Sequence, residues 1–182
     1  MRLITLFLLT CLTFSSQATT TPEKALEMYF NILTSQDYHD ISTIMDQESM
    51  RNLKRTMDSA MKFQAEHGVY TLQRRIFGEP VSLERIESTT PEFYLETLAG
   101  EILQAARRQH LIVSDRQIIG KIQESEDMIH IVARLTFAQD SQRSSDVLVY
   151  TLVKRRSGWK LKFPATIKQM ITVIDSSARQ LH

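Results

Sequence analysis

Ile129-His130-Ile131-Val132-Ala133-Arg134-Leu135-Thr136-Phe137 is the stretch that decides the fold class. Ile129, Ile131, Ala133, Leu135 and Phe137 occupy every second position, and His130, Val132, Arg134 and Thr136 alternate with them. Successive side chains of a strand point to opposite faces, so this period of two lays an apolar row on one side of a sheet. The pattern extends in both directions. Upstream, Ile118, Gly120 and Ile122 alternate with Ile119, Lys121 and Gln123, and Glu124 to Asp127 supplies a polar turn. Downstream, Gln139 to Ser145 is a second turn and Asp146 to Arg156 a third strand. Ser157-Gly158 turns tightly into Trp159, Leu161 and Phe163, and Pro164 ends that strand. Links this short join neighbours in an antiparallel meander over 118–122, 129–137, 147–156 and 159–163.

The period before residue 117 is helical. Thr21-Pro22-Glu23 is a start signal: Thr21 can accept an orphan N–H, and Pro22 has no N–H to leave unpaired. Leu26, Tyr29, Phe30 and Leu33 then recur at helical spacing. Asp46 can cap a longer helix through Glu66, lined by Met50, Leu53, Met57, Ala60, Met61 and Gln64, with Gly68 placed to end it in the left-handed region. The methionines read as core packing. Val69 to Phe77 reads as a strand broken by Gly78-Glu79-Pro80. Thr90-Pro91-Glu92 repeats the start signal for a helix through Arg108, with Tyr94, Leu95, Leu98 and Ile102 apolar. Gly100 inside it implies a close contact, since glycine costs up to about 1 kcal/mol there relative to alanine. Ala165 to Ser177 reads two ways: its β-branched residues favour a strand, and Ile167, Met170, Ile171 and Ile174 fit one face of a final helix, the reading preferred here. A sheet with alternating Ile, Leu, Phe and Trp needs cover on at least one face, and the helices supply it, giving a two-layer α+β domain.

The N-terminus speaks of location. Met1-Arg2 precedes an apolar run from Leu3 to Phe14, and Ser16-Gln17-Ala18 is a small-x-small cleavage site. Residues 1–18 therefore read as a signal peptide, with 19–182 as one domain. The bacterial periplasm is the expected compartment, with the extracellular space as the other exported destination. Cys11 leaves with the leader, so the mature chain has no thiol chemistry, and no mature transmembrane anchor is expected. The full chain of 182 residues carries 22 Lys plus Arg against 21 Asp plus Glu. That balance gives no overall attraction to nucleic acid.

The order of elements resembles the nuclear transport factor two-like superfamily. The resemblance rests on the helix pair over Pro22–Glu66, the helix at Pro91–Arg108, and the ending Tyr150-Thr151-Leu152-Val153-Lys154 … Gly158-Trp159-Lys160-Leu161, which is similar to the last hairpin of such domains. It implies cone-like helices packed on a curved, mostly antiparallel sheet with an opening between them. The superfamily holds isomerases, dehydratases, hydrolases and non-catalytic binders, so the resemblance implies a cavity and no particular reaction.

Chemistry-bearing motifs are sparse. His130 and Arg134 lie four apart on one strand and share a face, where His130 could exchange a proton and Arg134 hold an anion. Tyr94 and Tyr150 are candidate aromatic contacts for the same ligand. No catalytic residue is assigned. His39, His67, His110, His130 and His182 show no zinc spacing, so no metal is expected. Ser157-Gly158-Trp159 lacks the nucleophile-elbow pattern, and no Gly-rich phosphate loop calls for a cofactor. The expectation is an exported, non-catalytic binding module for a small molecule or a protein partner, monomeric or homodimeric. The alternative is a small-molecule isomerase, lyase or hydrolase with a cone-lined acid/base site.

Overall fold

The computed structural model describes residues 21–35, 37–164, 167, 169 and 171–173. Six helices come first: α1 (Pro22–Ser35), α2 (Ile41–Ile44), α3 (Gln47–Glu66), α4 (Thr71–Phe77), α5 (Leu83–Ser88) and α6 (Pro91–Arg108). Four strands follow: β1 (Leu111–Ser125), β2 (Met128–Gln139), β3 (Gln142–Arg155) and β4 (Gly158–Leu161). They form one antiparallel sheet in the order β1-β2-β3-β4.

The capping residues act as their chemistry requires. The Thr21 hydroxyl accepts from the Lys24 N–H at 3.2 Å, and the Thr90 hydroxyl from the Phe93 N–H at 3.3 Å. The Asp46 carboxylate accepts from the Ser49 N–H at 3.3 Å at the start of α3. At its end Gly68 has φ 71°, with Gly68 N–H bonded to Ala65 O and Val69 N–H to Gln64 O. That paired closure satisfies two carbonyls that the last turn would leave open.

The helices cover one face of the sheet. Ile129, Ile131, Ala133 and Leu135 of β2, Tyr150 and Leu152 of β3, and Leu161 of β4 are buried with Leu26, Tyr29, Phe30, Leu53, Met57 and Met61. The period-two row of residues 129–135 is thus the core side. On the opposite side stand His130, Val132, Arg134 and Thr136, set against Thr151, Val149, Val147 and Ser145 of β3.

Several expectations need correction. The implied cone is absent: the sheet is flat and open, not strongly curved, so the chain does not have the nuclear transport factor two-like form. Among the described residues every strand pairs only with its sequence neighbour, β4 spans four residues, and no strand joins the two ends of the sheet. β1 has register irregularities, and bulges bend one strand locally without closing a sheet. Residues 71–77 form helix α4, not a strand. Leu72, Gln73 and Ile76 are its buried positions, and Gly78 (φ 84°) ends it by donating to Arg74 O. Leu72, Gln73 and Ile76 share a face at helical spacing, which an apolar run of this length conceals. Two buried amides hold α4 in place: Gln64 Oε1 accepts from Leu72 N–H at 3.0 Å, and Gln73 Oε1 from Val81 N–H at 2.8 Å. The 80–89 link contains α5, and β1 begins at Leu111, seven residues before Ile118, the first strand position read from the sequence. Of the proposed final helix, Ile167, Gln169 and Ile171–Val173 are helical, and the rest lies outside the described residues. Residues 1–18 also lie outside them.

Candidate functional site

The four sequence candidates fall on opposite sides of the sheet. Tyr94 and Tyr150 are buried on the helical side. The Tyr94 hydroxyl donates to Asp58 Oδ1 at 2.9 Å, and Lys54 Nζ reaches Asp58 Oδ2 at 2.7 Å and Glu87 O at 3.0 Å. This cluster ties α3, α5 and α6 together. The Tyr150 ring meets Phe30 edge-on at 5.3 Å and Tyr29 at 5.9 Å. Burial pushes the Tyr29 hydroxyl up to about 12. Burial first, then the hydrogen bond to Asp58, raises Tyr94 above its ordinary value. Burial, with a smaller contribution from Tyr29, raises Tyr150. All three are neutral hydroxyls at physiological pH.

His130 and Arg134 stand on the other face and share it, as their spacing requires. His130 Nδ1 lies 3.0 Å from Thr151 Oγ1, and Nε2 contacts the Glu124 carboxylate. Arg134 is exposed and makes no ion pair among the described residues. The structure therefore groups His130 with Arg134 and Tyr94 with neither. Where a cone would open, aliphatic side chains fill the interior. The space left there is an apolar gap of about 150 Å³ among Tyr29, Leu33, Ile41, Leu95 and Ile102.

No helix among the described residues covers the outer sheet face. Ile122 is 62 % exposed, Val149 56 % and Val147 53 %. They are cross-strand neighbours of His130, Val132 and Arg134 respectively. Ile112, opposite Ala138, extends the row toward the far end, and Ile119 is exposed at the β1 irregularity. Sequence alternation located this face but not the exposure of Ile122, Val147 and Val149, which are apolar like the core row.

Sequence reasoning missed a second feature. The link between α2 and α3 runs alongside β4: Asp46 N–H donates to Leu161 O at 2.8 Å, and Met45 bridges Leu161 in parallel. This brings Asp46 beneath the β3–β4 turn, where Arg155 donates to it through Nε at 2.8 Å. A cavity of about 630 Å³ opens beside the pair, lined by Arg51, Glu92, Arg156 and Lys160 among others. The only sequence signal was Lys154-Arg155-Arg156, which reads equally as a solvated surface cluster.

Neither buried carboxylate, Asp46 nor Asp58, stands as a free general base. Asp46 is occupied by Arg155 and Ser49, and Asp58 by Tyr94 and Lys54. Among the described residues no group of three or more His, Cys, Asp or Glu could hold a metal ion, and no helix is long and apolar enough to cross a membrane.

No family model matches the chain, and no curated protein matches it. Nothing in these comparisons connects it with the nuclear transport factor two-like superfamily, with secretion or with a periplasmic setting, so the resemblance drawn from element order is withdrawn on both counts, shape and sequence.

Proposed function

We propose that this protein is a non-catalytic binding module whose working surface is the outer face of the sheet and whose partner is another protein. The observation that carries this reading is the exposure of Ile122 on β1 and of Val147 and Val149 on β3, all on the one sheet face that no described helix covers. Contiguous exposed apolar side chains rimmed by polar ones mark interaction surfaces in soluble domains. Arg134 stands beside Val147 without an ion pair among the described residues, and Glu124 is engaged by His130. The complementary partner surface is therefore aliphatic and carries a carboxylate opposite Arg134. The catalytic alternative requires an acid and a base converging on one enclosed space. The candidate groups stand on opposite faces, and this favours binding.

Export belongs to the same proposal and rests on the basic, apolar and small-residue pattern of residues 1–18. Intact mass and N-terminal sequencing of native protein test it: a mature start at Thr19 is expected, and exported protein that retains Met1 contradicts it.

The binding reading is tested with a photo-crosslinking residue at position 149 in the full chain, expressed in its native host. A discrete adduct of fixed mass is expected. It should be absent when the crosslinker is at Leu83, an exposed position on the helical side, and lost in Arg134→Glu. Adducts of equal yield from both positions would reject the outer face as the working surface.

A further inference from the structure

We propose that the cavity beneath the β3–β4 turn is a second, independent binding site, for a small molecule carrying a phosphate or carboxylate group. The inference does not rest on the sheet-face reading.

The cavity has about 630 Å³ of space, within the range of small-molecule sites. Its deepest acid, Asp46, is 1 % exposed and already neutralised by Arg155, whose Nη2 lies 2.7 Å away. Asp46 therefore repels an incoming anion only weakly. Glu48 leans on the same guanidinium at 3.6 Å. Three further cations line the space. Lys160 Nζ is positioned by one hydrogen bond to Thr43 O at 2.5 Å and keeps its other two hydrogens. Arg51, one turn into α3, and Arg156, in the β3–β4 turn, make no ion pair among the described residues. Glu92 is the remaining acid at the rim. The walls thus offer two unpaired guanidiniums and a fixed ammonium around one open volume.

Guanidinium groups bind phosphate and carboxylate through paired, charge-assisted hydrogen bonds, and an unpaired arginine has that capacity free. Ser42, Thr43 and Ser157 add hydroxyls suited to the uncharged part of the ligand. The Asp46–Arg155 pair is the floor of the site. It fastens the β3–β4 turn, which carries Arg156, to the start of α3, which carries Arg51.

Amide NMR titration of the full chain with inorganic phosphate and, separately, succinate tests the site, with ionic strength held constant by sodium chloride. Saturable shifts confined to residues 42–51 and 155–160 are expected with at least one of the two. The apparent affinity should fall at least tenfold in R51Q/R156Q, fall in each of R51Q and R156Q, and stay unchanged in R143Q, which removes the same single charge as either at the β2–β3 hairpin. Saturation by phosphate alone assigns phosphoryl ligands, and saturation by succinate alone assigns carboxylates. Shifts that never saturate, that spread over the whole surface, or that persist equally in R51Q/R156Q overturn the proposal. Both arginines are exposed, and the single variants R51Q and R156Q serve if the double variant does not fold.

Discussion

Arg155 closes on a single oxygen of Asp46, with Nε at 2.8 Å and Nη2 at 2.7 Å from Oδ1. The two residues are separated by 109 positions, and the contact fastens the end of β3 to the start of α3. It also carries the cap of α3, because the other Asp46 oxygen accepts from Ser49 N–H. A sheet–helix joint and a helix cap therefore share one carboxylate.

Arg155→Gln should leave that buried carboxylate without its cation. A buried acceptor stripped of its partner costs about 1–3 kcal/mol, and the low end is expected here because Arg155 is partly exposed and water can enter. Arg156→Gln, one residue on, should stay within about 0.5 kcal/mol of the parent. Urea denaturation of the two variants measures the difference. Equal stability would deny the joint its structural role.

Leu135 is fully enclosed beneath the helices. Leu135→Ala should destabilise by about 2–5 kcal/mol through lost burial and a residual cavity. Val149→Ala, on the uncovered face of the neighbouring strand, should cost less than about 0.5 kcal/mol. Chemical denaturation of both variants tests which face is the core, and similar losses at the two positions would contradict the one-sided packing.

Gly100 explains itself through Tyr38. A Cβ at residue 100 would lie 3.0 Å from Tyr38 Cζ and 3.2 Å from its hydroxyl oxygen. Alanine would add helix propensity of up to about 1 kcal/mol, but the ring stands in the way. Gly100→Ala alone should be slightly destabilising, and in a Tyr38→Ala background it should stabilise. A double-mutant cycle measures this change of sign. Stabilisation of similar size in both backgrounds would show that the ring does not set the constraint.

Alkaline pH should unfold the protein from its tyrosines. Tyr29 titrates near 12 in the folded chain, and Tyr94 and Tyr150 are also raised by burial. Below about pH 10 these hydroxyls are neutral in both states and add no pH dependence. Above it the unfolded chain releases protons that the folded chain retains, so stability falls with rising pH, by up to about 1.4 kcal/mol per pH unit for each such tyrosine. Tyr29→Phe should make the decline between pH 10 and 12 shallower. Thermal melts across that window test the slope, and an unchanged slope would remove Tyr29 from the account.

Local signals were the legible part of the fold. Thr21, Asp46 and Thr90 each sit beside the helix they cap, and Gly68 sits beside the helix it ends, so one short window contains both partners. The β2 alternation likewise named the buried row of Ile129, Ile131, Ala133 and Leu135. Contacts between distant residues left no such trace. Arg155 and Asp46 meet only after the β3–β4 hairpin folds back along the α2–α3 link. Gln64 and Gln73 are polar residues in buried positions whose backbone partners lie eight residues away, so the only local marker of helix α4 was Gly78 at its end, which breaks a strand equally well. The curvature of the sheet was misjudged for a related reason. Element order gives which strands are neighbours, whereas curvature depends on how far the strands continue and what they wrap. Of the candidate site, spacing placed His130 and Arg134 on one face, but it gave no sign that Tyr94 and Tyr150 would lie on the other side of the sheet.

The central claim is that the outer sheet face is bare in the isolated chain and covered by a partner in its native setting. Carbene footprinting of Ile122, Val147 and Val149, read by mass spectrometry, measures this directly. All three should label strongly in dilute purified protein and be clearly protected in native material, with Leu83 labelled equally in both. Equal labelling of the three residues in both preparations would contradict it, and so would protection already complete in the dilute purified chain.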